Sequence, residues 1–528
     1  MIIMKSTKYI FFSVAIAMGL TSCEPEFKHE LSDASYSAGT ADFSRYVAIG
    51  NSLTSGYMDG TMYRSAQQYS FPNLLAKQFA LVGGGEFTQP SYADDVNNVG
   101  GIIYSGVAIQ SPKMIINLTK AGGAGPEVIN ATPTITLTPQ AKAFNNMGVP
   151  GAKSFHLLSN TYGNPAGIGS YANPYFVRTA TTTNATVIGD AMSLNPTFFT
   201  NWIGSNDVLA YALSGGTGLD QTGNLDPSTY GSNDITDPTV FTSVYSQIMD
   251  ALTSNGAKGV VATVPDVTSI PYFTTVPYNP LTVTALGQGN ATAGEATIDM
   301  LNQLFAGFNQ GLSAYNQPAR FAEYSKTAGN PVLIVDETLP DMSAVISGVI
   351  SQIPAYAQYA TALGQALKQA RHATANDLLV LTASSYIGTA EPGYPTGLNA
   401  RGVVVPLPDQ YVLIPSEQNT IKTATTAFNN SIKAIAASKD IPVVDMNAVM
   451  KKLSTEGIVY GGIKYNANYF STATVGVVLF SLDGVHPNAR GYAFVANEVM
   501  NVIEQHYGAK LPQYVPNSFP GATILPSN

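Results

Sequence analysis

Residues 46–57 read Y-V-A-I-G-N-S-L-T-S-G-Y, an apolar run that stops at Gly50 and gives way to Asn51, Ser52, Leu53 and Thr54. The run 46–49 predicts a buried strand. Glycine followed by Asn-Ser predicts a turn whose polar side chains cap the next element. On these residues alone two roles stay open for Ser52: a nucleophile held at the end of a strand, or the hydroxyl that caps a helix. Residues 71–81, F-P-N-L-L-A-K-Q-F-A-L, have helical spacing with Pro72 in the first turn, so the first unit reads β then α.

Working outward, a Gly- and Asn-rich region without a strong period runs to Asn145, and N-N-M-G-V-P-G-A-K-S (145–154) predicts a glycine turn leading into a short helix. T-F-F-T-N-W-I (197–203) predicts a second strand, closed by Gly204-Ser205-Asn206-Asp207. Residues 243–254 read as a helix, and G-V-V-A-T-V (259–264) as a strand ending in Pro265-Asp266. Strands so uniformly apolar are expected where helices cover both faces of a parallel sheet. Simple alternation then breaks. Amphipathic stretches at 294–315 and 343–372, separated by P-V-L-I-V-D (331–336), predict a mainly helical insertion over about 275–376. His372 falls on a charged helix face in this reading. Alternation resumes with D-L-L-V-L-T (377–382), a helix over 416–438 begun by Ser416 and Glu417 as its cap, I-P-V-V-D (441–445) as strand, and a helix over 488–507 after Pro487. The expected architecture is α/β with a parallel sheet and large insertions.

The 528 residues suffice for a large core without staples, and a single cysteine, Cys23, permits no internal disulfide. One Cys and five His provide no cluster with zinc-site spacing. With 11% charged residues and a formal net charge of −9, no basic stripe is available to displace phosphate counterions, which argues against a nucleic-acid partner. At the amino end, Lys5 and Lys8 precede an apolar stretch over 9–20 that is too short to span a bilayer, so residues 1–22 read as a signal peptide. Leu20-Thr21-Ser22-Cys23 resembles the lipobox of bacterial lipoproteins. That resemblance implies cleavage before Cys23, acylation of its thiol and new amino terminus, and a polar tether over 23–41. Glu24 follows the cysteine in place of the Asp that resembles an inner-membrane retention signal, so the expected site is the outer membrane. Residues 42–510 form the expected main domain, and the proline-rich residues 511–528 an irregular tail.

Four segments stand at strand ends or in loops beside them, where open α/β sheets place ligands. They are Gly50-Asn51-Ser52-Leu53, Gly148-Val149-Pro150-Gly151, Gly204-Ser205-Asn206-Asp207 and Asp483-Gly484-Val485-His486. A serine, a flexible backbone turn, an asparagine and an Asp/His pair supply the parts of acyl transfer: nucleophile, oxyanion donors, base and orienting carboxylate. In this order the segments resemble the blocks of the SGNH, or GDSL-type, esterase and lipase superfamily. The resemblance implies a three-layer α/β/α flavodoxin-like fold, with Ser52 as nucleophile, His486 as general base and Asp483 as its partner. It also implies an oxyanion hole from the N–H groups of Ser52 and Gly151 and the Asn206 side chain, with Gly148 and Gly100 as rivals to Gly151. Asn51 stands where the family's G-D-S-L has Asp, and with Asp207 it takes a supporting role.

The function so implied is a membrane-anchored serine ester hydrolase acting on lipid, short-chain or acetylated-glycan esters through an acyl-enzyme, with no metal or organic cofactor required. Two alternatives follow from the same residues. One is a catalytically silent lipoprotein of this fold that serves as a binding or surface-assembly component. The other is an acyltransferase that delivers the acyl group to a hydroxyl other than water. His156, His372, His506 and His29 have structural or solvated roles in this reading, and Asp266 and Asp445, which end strands, either approach the site or cap turns.

Overall fold

The computed structural model describes residues 35–119, 125–471 and 473–525. The signal peptide, Cys23 and most of the tether lie outside the described residues. Five parallel strands form the central sheet: β1 (Tyr46–Gly50), β2 (Asn146–Gly148), β3 (Phe198–Trp202), β4 (Lys258–Ala262) and β5 (Val443–Val444). Their spatial order is β2-β1-β3-β4-β5, and every pairing between neighbours is parallel. The order reverses direction between β1 and β3, a point where the chain diverges to both sides and leaves a crevice at the strand ends.

Strand alternation feeds two cores. Val47, Ile49, Phe199 and Val261 pack into one hydrophobic cluster, while Tyr46, Ala48, Phe198, Val260 and Ala262 pack into another. All five residues of β1 and of β3 are buried, including the polar Thr200 of β3, whose hydroxyl pairs with that of Tyr46 at 2.8 Å. α1 (Ser52–Ser55) follows β1 directly, and α2 (Phe71–Phe79) carries Pro72 in its first turn. α2 places Phe71, Leu74, Leu75 and Phe79 in the second cluster, each contributing on the order of 1.5–3 kcal/mol of burial. α3 (Asn206–Leu213) and α4 (Pro238–Thr253) pack into the first cluster.

Between β4 and β5 the chain leaves the sheet. This excursion holds α5 (Ala291–Ser313), α6 (Ser343–Ser351) and α7 (Ala360–Ala366), with a two-stranded antiparallel pair, Leu333–Val335 against Ala370–His372. His372 therefore lies on a strand and not on a helix face. Its ring is buried among Phe305, Phe321 and Tyr324, its Nδ1 accepts from the Ala322 N–H at 2.6 Å, and burial pushes its pKa down to about 3. The neighbouring Arg371 is consumed by Asp336 and Asp377, at 2.6 and 2.7 Å, which pins this pair of strands to the loop that follows.

The segment 377–382 does not extend the central sheet. Only Leu378–Leu379 is strand, and it pairs antiparallel with Val412–Leu413, so the excursion continues to the start of α8 (Pro415–Ser438). α8 is not capped by Ser416. Its first turn starts at Pro415, and Glu417 reaches back to accept the Ile414 N–H at 2.8 Å. The region without a strong period before Asn145 holds two short antiparallel pairs. Ile102–Tyr104 pairs with Val107–Gln110, and Met114–Asn117 with Gly125–Val128. The tail returns to this second pair, where Ile524–Leu525 runs parallel to Met114–Asn117. α9 (Met446–Thr455) follows β5, and α10 (Ala489–Tyr507), with Asn488 as its cap, precedes the tail. Among the described residues no helix is long and apolar enough to cross a membrane.

Candidate active site

Where β1 ends, Gly50 turns the chain into α1. A Cβ at this position would lie 2.2 Å from Thr54 Oγ1 and 2.6 Å from the Trp202 carbonyl oxygen, so the turn admits only glycine. The cap of α1 is Asn51, whose Oδ1 accepts the Leu53 N–H at 3.0 Å. Ser52 is thereby relieved of capping. Its Oγ lies 2.9 Å from His486 Nε2.

His486 and Asp483 come from the turn that precedes α10. Nδ1 of His486 is 2.9 Å from Asp483 Oδ2, which also accepts the Gly60 N–H at 3.0 Å. Asp483 Oδ1 accepts three further donors at 2.9 Å: the Ser481 hydroxyl and the N–H groups of Val485 and His486. Burial raises the pKa of this carboxyl, but the attraction of His486 and the backbone donors outweigh it and hold it down at about 2. The carboxylate is thus fixed in charge and direction. Tyr57 packs on the imidazole with ring centroids 4.6 Å apart, and Tyr492 donates its hydroxyl to the Tyr57 carbonyl at 2.6 Å, tying α10 to the segment after α1.

The oxyanion donors proposed from sequence fall into different positions. Asn206 opens α3 and lines the same cleft as Ser52 and His486. One of its amide hydrogens is directed at the Ala152 carbonyl at 3.0 Å, which leaves the second for a ligand. Gly151 has φ +81° and does not itself line the cleft; the Ala152–Asn206 bond connects its loop to it. Of the rival glycines, Gly148 donates its N–H to Asn146 Oδ1 at 3.1 Å and Gly100 donates to Asp95 Oδ1 at 3.1 Å, so both are committed elsewhere. Gly148 also seats α1: a Cβ there would lie 2.4 Å from the Ser55 nitrogen. Asp207 is fully buried and accepts both the N–H and the hydroxyl of Ser154, at 2.8 and 2.7 Å, clamping the loop after Gly151 to the start of α3. Burial raises its pKa and the Ser154 bonds oppose that rise.

One buried carboxylate was not singled out by the sequence. Asp59, at φ +55°, accepts the Leu482 N–H at 3.0 Å and the Tyr63 hydroxyl at 2.8 Å. Its own N–H donates to Ser481 Oγ at 3.0 Å, the same hydroxyl that donates to Asp483. Asp59 is therefore the clamp behind the Asp483 turn. Burial, with Asp483 adding to it, pushes its pKa up to about 6 against the opposing pull of Leu482, Tyr63 and Lys113. The only sequence signal is the dipeptide Asp59-Gly60, which marks a turn and nothing more.

Other titratable groups serve the scaffold. His156 Nδ1 accepts the Lys153 N–H at 3.0 Å, and burial pushes its pKa down to about 4. Asp266 and Asp445 accept backbone N–H groups at the starts of the turns they precede.

A cleft lies over Ser52, lined also by Asn206 and His486. Its walls come from α3, α9, α10 and the loop after β4. No family model matches the chain, and neither a curated protein nor a solved structure matches it.

Proposed function

We propose that the chain is a serine ester hydrolase of SGNH type, with Ser52 as nucleophile, His486 as general base and Asp483 as the carboxylate that orients it. The observation that carries the reading is the relay from Ser52 Oγ to His486 Nε2 and from His486 Nδ1 to Asp483, 2.9 Å at each link. His486 takes the proton as Ser52 attacks the ester carbonyl, and Asp483 holds the tautomer that leaves Nε2 free to accept it. The free amide hydrogen of Asn206 and the N–H of Ser52, both on the cleft wall, receive the negative charge that develops on the carbonyl oxygen, and Gly151, on the loop that Asn206 holds through Ala152, is the third donor that the family resemblance implies. Collapse expels the alcohol, protonated by His486, and water activated by the same imidazole clears the acyl-enzyme.

Two further observations support the reading. The strand order is that of flavodoxin-like sheets, and the two cores fed by alternate strand residues suit a three-layer α/β/α arrangement. Ser52 and Asn206 follow the two strands that flank the reversal of order, where such sheets bind ligands. Acylation at Cys23 would hold the enzyme on a bacterial membrane, the outer membrane on the evidence of Glu24.

The test is active-site labelling by a fluorophosphonate together with hydrolysis of a p-nitrophenyl ester. The wild-type protein takes up one label at Ser52 and turns over the ester, while Ser52→Ala does neither and keeps its fold. A folded wild-type protein that takes no label overturns the assignment and leaves a binding component of this fold.

A further inference from the structure

The polar and apolar walls of the cleft are segregated. The polar side chains that line it, Asn51, Ser52, Ser205, Asn206 and His486, all belong to the two strand ends and the turn that build the relay. Away from them the lining is hydrocarbon. α9 contributes Met446, Val449, Met450 and Leu453, residues spaced i, i+3, i+4 and i+7, which is one face of a helix turned into the cleft. α10 opposes it with Phe494, and Val267 and Ile270 from the loop after β4 close the side. Trp202 lies in the floor with its indole N–H already spent on the Thr263 carbonyl at 3.1 Å.

The direction of the cleft follows from the sheet. Ser52 stands after β1 and α9 after β5, with β3 and β4 between them, so the cleft crosses three strand spacings, about 14 Å. An acetyl group would occupy only the end beside Ser52. A sugar ring placed along the rest would lose its hydration to walls that return no hydrogen bond, at a cost that disfavours it for every hydroxyl buried.

We propose that this cleft is an acyl site, and that the substrate class is the ester of an unbranched fatty acid of medium or greater length, not an acetylated glycan. The proposal rests on Ser52 being the ester nucleophile. The chain would run from the Ser52 carbonyl along the Met446–Leu453 face of α9, with the alcohol portion leaving on the side of Gly151.

A series of p-nitrophenyl acetate, butyrate, octanoate and decanoate on the unaltered protein tests it. Each methylene fully buried against these walls is worth about fourfold in kcat/KM, so the six that separate octanoate from acetate set a ceiling of about 4,000-fold; octanoate is expected to exceed acetate by at least about 100-fold, a little over half of that free energy. Met450→Trp and Leu453→Trp, each checked for stoichiometric fluorophosphonate uptake at Ser52, are expected to lower the decanoate-to-acetate ratio of kcat/KM at least about tenfold by filling the cleft. Preference for acetate, or a flat series, overturns the acyl site and leaves the esterase intact. An unchanged ratio in both labelled variants overturns the path along α9. No label and no hydrolysis of any ester means that the underlying nucleophile assignment has failed.

Discussion

Asp483→Asn separates charge from geometry at the relay, and the structure dictates which way the new amide turns. With its oxygen in place of Oδ1 it keeps the three donors there, the Ser481 hydroxyl and the N–H groups of Val485 and His486. Its NH2 then faces the Gly60 N–H and His486 Nδ1. The flipped amide would instead set its NH2 against two backbone N–H groups, since only the Ser481 hydroxyl can turn to accept. The first orientation leaves one orphaned N–H and the second leaves two, a difference of about 1–3 kcal/mol in favour of the first. In that orientation His486 must present a bare Nδ1 to the amide and carry its proton on Nε2, where it points at Ser52 and cannot act as base. The expected loss in kcat is about 10⁴, or about 5.5 kcal/mol of transition-state stabilisation. Loss of the charged acceptor for Gly60 should lower stability by about 1.5–3 kcal/mol. Ester turnover and urea unfolding of the same preparation measure the two effects. Turnover within tenfold of wild type in a folded variant would refute the tautomer argument and with it the role of Asp483.

Asn206→Ala is expected to cost about 10²–10³ in kcat, because it removes the proposed oxyanion donor and also frees the Ala152 loop that carries Gly151. A kcat loss below threefold would remove Asn206 from the hole. For stability against pH, Asp483 and Asp59 act in opposite directions. The Asp483 pKa is depressed to about 2, so its contribution is present above its ordinary value of 3.8 and is lost as pH falls toward 2. The Asp59 pKa is raised to about 6, so the stability tied to its neutral form is complete below 3.8 and is lost as pH rises through 6. Urea midpoints should accordingly decline between about pH 4 and pH 7, with about 3 kcal/mol at stake in Asp59. Asp59→Asn, which keeps an acceptor for Leu482 without the charge, should flatten that decline; an unchanged slope would show that other groups set it.

The parts of the fold that sequence conveyed are those in which one residue pattern had one solution. The runs at 46–49 and 259–264 are largely apolar on both faces, 197–203 carries Phe198, Phe199, Trp202 and Ile203, and the sheet buries all three on both faces. Phe71–Phe79, Pro238–Thr253 and Ala489–Tyr507 each show a helical stripe bounded by a proline or an asparagine cap. Elsewhere pattern and pairing diverged. D-L-L-V-L-T resembles a central strand, yet Asp377 is spent on Arg371 and the following leucines pair with Val412–Leu413 outside the sheet. The charge beside His372 suggested a solvated helix face. Two aspartates from other segments neutralise that charge, which allows Ala370–His372 to be a buried strand. The strands between 102 and 128 are three or four residues long, too short to show a period.

At the site, the sequence made two separable demands on the turn after β1: a cap for α1 and a free hydroxyl. Asn51 and Ser52 divide them. Only the oxygen of the Asn51 amide is used, and its buried Nδ2 has no partner. An aspartate at this position would provide the same capping oxygen without an orphaned donor, but it would place a second negative charge beside the proposed nucleophile. The asparagine therefore trades a small desolvation cost for a neutral turn. Asp59 shows the converse case. It holds Asp483 through Ser481 and through the Leu482 N–H, across more than four hundred residues of chain, so no local pattern could reveal it. The blocks proposed as catalytic are legible because chemistry restricts the residue types within each turn. The clamp that aligns those blocks depends on contacts between turns, which only the folded chain defines.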